Sequence, residues 1–175
     1  MRYFLVAGEA SGDLHASALI RALRAEDPEA SFAFMGGDKM EAAAGVAPIV
    51  HYREVAFMGI VNVVKNLGKL TRIGRQIQAA MRDFAPDVVI PVDYADFNFR
   101  FILPYAKKEL RCPVIYYILP KLWAWRAGRI RQLRRYVDLG LSILPFETNY
   151  FSDRGLRTEY IGNPVSYTHL RAHET

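Results

Sequence analysis

Short apolar runs alternate along the chain with longer segments whose apolar residues recur every three or four positions. The short runs have the length and continuity of buried strands, and they cover residues 3–7, 32–35, 88–92, 114–119, 139–144 and 160–161. The intervening segments predict helices at residues 14–26, 39–44, 60–82, 99–110, 127–136 and 147–154. Continuous apolar strands separated by helices are typical of a parallel sheet covered on both faces. The pattern therefore predicts an α/β fold with a Rossmann-like, mostly parallel sheet.

The loop after the first apolar run carries two glycines and two carboxylates. Its candidate substrate-binding residues are Gly8, Glu9, Ser11, Gly12 and Asp13. Ligands of open α/β sheets collect at the carboxyl ends of strands, but this spacing fits neither the dinucleotide fingerprint nor the P-loop. The two carboxylates also place negative charge beside the start of a helix, where a phosphate would otherwise be attracted. We therefore expect sugar hydroxyls here, with helix capping by Ser11 as the alternative.

The apolar run at residues 88–92 ends at a second polar loop, which contains Asp93, Asp96 and Asn98. A partly desolvated carboxylate at the end of a buried strand has the raised pKa that suits a general base. Aspartate in this position also caps loops and helix starts, so the residues alone leave both roles for Asp93 open. Asn98 either caps the following helix, which is the favoured interpretation, or holds a sugar hydroxyl.

Composition indicates one ordinary globular domain: 175 residues, 51% hydrophobic and 23% charged. The apolar runs are too short to span a bilayer, and the start of the chain lacks the features of a signal peptide, so the cytoplasm is expected. The net charge of +5 favours anionic partners. Nucleic acid is not expected among them, because no nucleic-acid-binding motif accompanies the charge.

Residues 166–175 lack the apolar periodicity of the rest, so we expect a domain at residues 1–165 and a non-native tail after it. A metal-binding pair of His169 and His173 is the alternative, but no further ligand is evident. Asp93 and Asp96 are too few to hold a cation by themselves. No metal site is therefore predicted.

Several blocks in a fixed order resemble the amino-terminal half of the lipid-A-disaccharide synthases over residues 3–165. They are Ala7-Gly8-Glu9-Ala10-Ser11-Gly12-Asp13, Phe57-Met58-Gly59, Val92-Asp93-Tyr94-Ala95-Asp96-Phe97-Asn98, Pro120-Lys121-Leu122-Trp123-Ala124-Trp125-Arg126, Pro145-Phe146-Glu147 and Gly162-Asn163-Pro164. Two positions depart from the family's usual pattern: Leu119 stands where a serine is usual, and Ala95 where proline is frequent. Neither change removes a carboxylate.

The resemblance implies an inverting glycosyltransferase of the GT-B architecture, which needs no metal or other cofactor. Such an enzyme joins UDP-2,3-diacylglucosamine to 2,3-diacylglucosamine 1-phosphate and releases UDP. The resemblance makes Asp93 the catalytic residue and adds substrate-binding candidates to those of the first loop: Met58, Gly59, Asp96, Asn98, Trp125 and Arg126. Because the donor binds mainly to a second domain in this architecture, the chain alone is expected to be inactive. A non-catalytic sugar- or nucleotide-binding module and an epimerase of soluble nucleotide sugars are the alternatives.

Membrane contact is implied as well, because both substrates of such an enzyme carry acyl chains. In the predicted helix 60–82, one apolar stripe contains Ile60, Val64, Leu67, Leu70, Ile73, Ile77 and Met81. The basic residues of the same helix suit an anionic bilayer at the cytoplasmic face of the inner membrane. Packing of the apolar stripe on the sheet is nevertheless the favoured interpretation. The arginines at positions 129, 131, 134 and 135 fit either an anionic head group or phosphate, or a solvated helix face.

Overall fold

The computed structural model describes residues 1–55, 63–122 and 127–162. These residues form a seven-stranded sheet in the order β3-β2-β1-β4-β5-β6-β7. Each pair of neighbouring strands is parallel, which confirms the predicted fold class. The strands are β1 Arg2–Ala7, β2 Ser31–Gly36, β3 Val50–His51, β4 Val88–Val92, β5 Ile115–Tyr117, β6 Leu139–Ser142 and β7 Thr158–Tyr160. Sequence reasoning missed β3, since two residues are too few to show a strand pattern.

Helices fill the connections between the strands. Among the described residues they include α1 Ala10–Glu26, α2 Asp38–Ala44, α3 Val63–Phe84, α4 Ala95–Phe97, α5 Leu103–Lys108, α6 Ile130–Tyr136 and α7 Pro145–Ser152. A π-helical turn at Asn98–Ile102 joins α4 to α5, and a 3₁₀ turn at Ala127–Arg129 precedes α6. The helix predicted at 99–110 therefore begins earlier and is divided. Single π turns inside helices are frequent at functional sites.

Both faces of the sheet are covered, as the continuous apolar strands predict. On one face, Phe4 and Val6 of β1 pack in a core cluster with residues of α3. On the other, Leu5 packs with Ile20 of α1 and Met40 of α2. Consecutive residues of β1 point to opposite faces of the sheet. Because both faces are buried, apolar and polar residues do not alternate along this strand.

The apolar stripe of α3 divides into a buried part and an exposed part. Ile73, Ile77 and Met81 are at most 2% exposed, whereas Leu67 is 45% exposed. Packing on the sheet therefore accounts for the carboxyl-terminal part of the stripe but not for Leu67. Ile60 and the side chain of Val64 lie outside what the structure describes. Within the described segments, none of the helices combines the length and apolarity needed to cross a bilayer.

The direction of strand addition reverses between β1 and β4, which are neighbours at the centre of the sheet. Ala7 and Val92, the last residues of these two strands, are partners in the parallel register. The loops that begin at Gly8 and Asp93 therefore leave the same edge of the sheet side by side. Open α/β sheets form their ligand crevice at this kind of switch point.

Candidate active site

A cavity of about 750 Å³ opens above the carboxyl ends of the central strands. Among the residues described, its lining comes from the segments that follow four strands. They are Ser11, Gly12, His15, Asp93, Ala95, Asp96, Ile118, Leu119, Pro120, Lys121, Leu122, Arg129, Ile143 and Glu147. The cavity has an apolar wall from the segment after β5 and a polar side with charges of both signs. That combination is typical of a site for a small polar ligand with apolar groups.

Asp93 leaves the end of β4 in a left-handed backbone conformation. Its φ is 45° and that of Tyr94 is 43°; such values are uncommon for residues other than glycine and costly for a bulky side chain. Two side chains hold this turn: the amide of Asn98 and the hydroxyl of Tyr116 donate to the Asp93 carbonyl oxygen, at 2.8 and 2.6 Å. The tertiary structure therefore fixes the backbone from which the Asp93 carboxylate projects.

The surroundings of Asp93 raise the pKa of its carboxyl group. Burial is the largest cause and the negative charge of Glu9 the second, with a smaller contribution from Glu147. The backbone N–H of Tyr94 and the charge of Lys121 act in the opposite direction. A carboxylate with raised proton affinity that faces a cavity has the properties of a general base.

Gly8 is required for contact between the two loops. A Cβ atom at this position would overlap the ring of Tyr94. The sequence predicted that Gly8 binds substrate, but the Tyr94 ring occupies the space beside it. Gly8 therefore acts on the site indirectly, by seating the residue that follows Asp93. Gly12 does line the cavity, and a Cβ there would lie 3.2 Å from that of Ala7, where α1 packs against β1.

Asp13 has a structural role that the sequence did not reveal. Its side chain is 2% exposed and accepts hydrogen bonds from the backbone N–H groups of Gly37, Lys39 and Met40, at 2.8, 3.1 and 3.0 Å. These donors begin α2, so Asp13, from within α1, satisfies the N-terminus of the next helix. It is absent from the residues lining the cavity. Its substrate-binding assignment is therefore corrected to a structural one.

Glu9 and Ser11 interact with each other at the start of α1. The helix begins at Ala10, with Glu9 in the N-cap position and no side-chain capping bond. Ser11 lies inside the first turn and donates from Oγ to Glu9 Oε1 at 2.6 Å. The alternative that Ser11 caps this helix is therefore wrong. Both side chains are exposed, and Ser11 lines the cavity.

Asn98 and Asp96, both predicted to bind substrate, have different environments. Asn98 is fully buried and is absent from the cavity lining; its amide binds the Asp93 carbonyl instead of a sugar or a helix N-terminus. The substrate-binding assignment of Asn98 is therefore corrected: this residue positions the Asp93 backbone. Asp96 lines the cavity and pairs with Arg129, Nη1 to Oδ1, at 2.6 Å.

Sequence reasoning missed several residues of the cavity. Glu147 is 1% exposed and accepts a hydrogen bond of 2.6 Å from Ser142; its only signal was the Pro145-Phe146-Glu147 block. Ile118 also lines the cavity, with a φ of 62° that is an outlier for a β-branched residue. His15 lines the cavity as well, and burial lowers the pKa of its imidazole.

The remaining candidates, Met58, Gly59, Trp125 and Arg126, lie outside the described residues, as do His169 and His173 of the predicted tail. Within the described ranges, no three neighbouring His, Cys, Asp or Glu side chains form a group suited to hold a metal ion.

The fold and the cavity define a Rossmann-like α/β domain with a carboxylate-bearing ligand cleft at its topological switch point. Residues 3–173 match the lipid-A-disaccharide synthetase family, and the chain belongs to that family. It is 44% identical over 164 residues to the lipid-A-disaccharide synthase of Myxococcus xanthus, and 39% identical over 166 residues to that of Alkalilimnicola ehrlichii. These alignments cover 94% and 95% of this chain, but only 42% and 43% of the relatives.

Solved structures with lower sequence identity share the fold. The UDP-GlcNAc 2-epimerase of Neisseria meningitidis, bound to UDP-GlcNAc, superposes with a TM-score of 0.67 at 15% identity, covering 99% of this chain and 50% of the epimerase. Anabaena HepE in complex with UDP-glucose gives 0.58 at 13% identity, covering 98% and 49%. At these identities the likeness concerns the architecture alone.

Proposed function

We propose that this chain provides the acceptor side and the general base of a lipid-A-disaccharide synthase. The reaction joins UDP-2,3-diacylglucosamine to 2,3-diacylglucosamine 1-phosphate and yields the disaccharide 1-phosphate and UDP. The observation that carries the proposal is the placement of Asp93. In a chain of this family, its carboxyl group faces the cavity at the switch point, and burial and the charge of Glu9 raise its pKa.

Asp93 takes the proton of the acceptor hydroxyl as that oxygen attacks the anomeric carbon of the donor sugar. The new carbon–oxygen bond forms on the face opposite the diphosphate, the old bond breaks, and its electron pair leaves with UDP. One proton moves to one carboxylate, so a single base suffices. We assign UDP binding to the part of the relatives that this chain does not match.

A chimeric enzyme tests the role of Asp93. It joins residues 1–162 of this chain to the unmatched part of the Myxococcus xanthus relative, and UDP release is measured with both acylated substrates. Asp93→Asn is expected to lower kcat by about 10²- to 10⁴-fold, the usual contribution of a positioned base. Asp153→Asn, at an exposed residue of the same type outside the cavity lining, is the matched control. Near-normal turnover in Asp93→Asn would exclude Asp93 as the essential base.

The same assay separates the proposed activity from its alternatives. Transfer is expected to require the acyl chains, because the apolar wall contributed by Ile118, Leu119 and Leu122 lies in the cavity. An enzyme of soluble nucleotide sugars would use substrates without acyl chains equally well. A non-catalytic module would bind a sugar and release no UDP.

We further propose that the amino-terminal part of α3 contacts the cytoplasmic face of the inner membrane. The exposed Leu67 lies near the exposed basic residues Lys69, Arg72 and Arg75, a combination that favours anionic lipid surfaces. In sedimentation with phosphatidylglycerol-containing vesicles, Leu67→Ser is expected to reduce the bound fraction. Val46→Ser removes an equally exposed side chain from another part of the surface and is the control. Equal losses in both variants would contradict a contact through α3.

A further inference from the structure

The structure separates Arg129 from the other arginines near α6. Arg129 lines the cavity that contains Asp93. Arg131, Arg134 and Arg135 are exposed and line a different, shallow depression beside Gly155. The sequence alone allowed each of these four arginines to bind an anionic group or to lie on a solvated helix face. The structure places Arg129, and none of the other three, at the ligand cavity.

The guanidinium group of Arg129 is held in place before any ligand binds. It forms the 2.6 Å ion pair with Asp96, and its Cζ lies 5.2 Å from the centre of the Phe99 ring. The Arg129 side chain is 29% exposed, whereas that of Asp96 is 72% exposed. A guanidinium offers five N–H donors in a rigid plane. Arg129 can therefore bind a second anion without giving up its contact with the Phe99 ring.

The cavity lining carries both negative and positive side chains. Asp93, Asp96 and the buried Glu147 supply carboxylates, and Lys121 and Arg129 supply cations. Of these carboxylates, that of Asp96 is paired with Arg129. A phosphate is repelled by the carboxylates and attracted by the cations, whereas a sugar hydroxyl donates readily to a carboxylate. A ligand with a hydroxyl at one end and a phosphate at the other would match both groups at once.

We infer that Arg129, assisted by Lys121, binds the phosphate of a sugar 1-phosphate acceptor whose reacting hydroxyl lies at Asp93. This inference rests on the proposed transferase function, and it assigns the orientation of the acceptor in the cavity. Arg129 recognises the phosphate through its planar set of donors, and Lys121 adds a single positive charge. Asp96 competes with the phosphate for the guanidinium.

Binding of small soluble probes to the 175-residue chain tests this assignment. Calorimetry with glucosamine 1-phosphate, glucosamine and inorganic phosphate gives the preference for the phosphorylated sugar. Arg129→Gln is expected to reduce that preference at least about tenfold, since it removes charge-assisted hydrogen bonds. Arg129→Lys keeps the positive charge and should retain part of the preference for the phosphorylated sugar. Asp96→Asn should increase the preference, because it removes both the competitor and a repelling charge.

The control is Arg131→Gln, which removes a nearby arginine outside the cavity lining and is expected to leave the preference unchanged. Thermal unfolding of each variant is compared with that of the unmodified chain. If Arg129→Gln does not fold, the other two variants test the inference, which then requires a weaker preference in Arg129→Lys and a stronger one in Asp96→Asn. The inference is overturned if Arg129→Gln or Arg129→Lys keeps the full preference, or if Asp96→Asn lowers it as much as loss of Arg129.

Two further outcomes also count against the inference. No binding of glucosamine 1-phosphate to the unmodified chain overturns it, and so does inorganic phosphate binding as tightly as the sugar phosphate, since that describes a site for free anions. Failure of the proposed function is recognised separately. In that case the Arg129-dependent preference persists, but the chimeric enzyme releases no UDP from the acylated substrates.

Discussion

The side-chain amide of Asn98 donates a 2.8 Å hydrogen bond to the backbone carbonyl of Asp93. The Tyr116 hydroxyl donates to the same oxygen at 2.6 Å, and both side chains are fully buried. These bonds act on the Asp93 main chain and leave its carboxylate to face the cavity. They stabilise two consecutive left-handed residues, Asp93 and Tyr94, and so fix the direction of the proposed base.

Asn98→Ala is expected to lower the free energy of unfolding by about 1–2 kcal/mol, because a buried carbonyl loses one of its two side-chain donors. In the chimeric enzyme it should lower kcat more than it raises KM, since Asn98 positions the base without lining the cavity. Urea unfolding and steady-state kinetics measure the two effects. Tyr116→Phe removes the other donor while keeping the ring and should act in the same direction. A change in KM alone would indicate that Asn98 binds substrate.

Gly8→Ala is expected to destabilise the chain by about 2 kcal/mol or more, because the added methyl group meets the ring of Tyr94. Gly68→Ala is the matched control: nothing lies within 4 Å of a Cβ there. Since alanine is the better helix former by up to about 1 kcal/mol, that variant should be at least as stable as the unmodified chain. Thermal unfolding compares them. Equal stability of the two variants would contradict the packing role of Gly8.

Asp13→Ala is expected to cost about 2–3 kcal/mol, since it leaves three backbone donors at the start of α2 without their acceptor. Hydrogen exchange should show the largest loss of protection in α2. Glu9→Gln, at an exposed residue of the same loop whose side chain contacts Ser11, is expected to change stability by less than about 0.5 kcal/mol. Loss of protection confined to α1 would contradict the capping of α2.

Asp93→Asn is expected to stabilise the chain at neutral pH by about 0.5–1 kcal/mol, although it lowers kcat of the chimeric enzyme by about 10²- to 10⁴-fold. The Asp93 pKa is raised in the folded state, so the folded chain holds this proton more tightly. The stabilising contribution of that proton is fully present below the ordinary aspartate pKa of about 3.9. It is lost as the pH rises from there through the raised pKa. Asparagine carries no charge and tolerates left-handed φ values.

The measurement is urea unfolding between pH 4 and pH 8. The difference in the free energy of unfolding between Asp93→Asn and the unmodified chain should grow with pH across the lower part of this range and then stay constant. Asp153→Asn, at an exposed residue, should show no such change. A variant less stable than the unmodified chain at pH 7 would contradict the unfavourable burial of the Asp93 charge.

The local sequence predicted the elements well wherever short-range patterning decides them. The run at residues 88–92 and β4 coincide, and the predicted helix 39–44 differs from α2 by one residue at its start. Both polar loops were predicted at the ends of apolar strands, and β1 and β4 do end at them, with Ala7 paired to Val92. These features follow from periodicity and from the rule that parallel strands direct their carboxyl ends to one edge.

The role of each polar residue in those loops was harder to predict, because it depends on partners far away in the chain. Asp13 binds the backbone at Gly37, Lys39 and Met40, and no local pattern links these positions. Likewise, Glu147 enters the cavity only because β6 and α7 place it beside the β4 loop.

The sequence by itself determined the alternation of strands and helices, the parallel sheet and the family, because hydrophobic periodicity and motif order are local properties of the chain. Only the tertiary structure decided which loop residues face the cavity and which satisfy buried backbone groups. Gly8, Asp13 and Asn98 all serve neighbouring loops and helices, whereas Asp93, Glu147 and Arg129 line the cavity. The physical reason is that buried polar groups must find partners, and those partners come from segments distant in sequence.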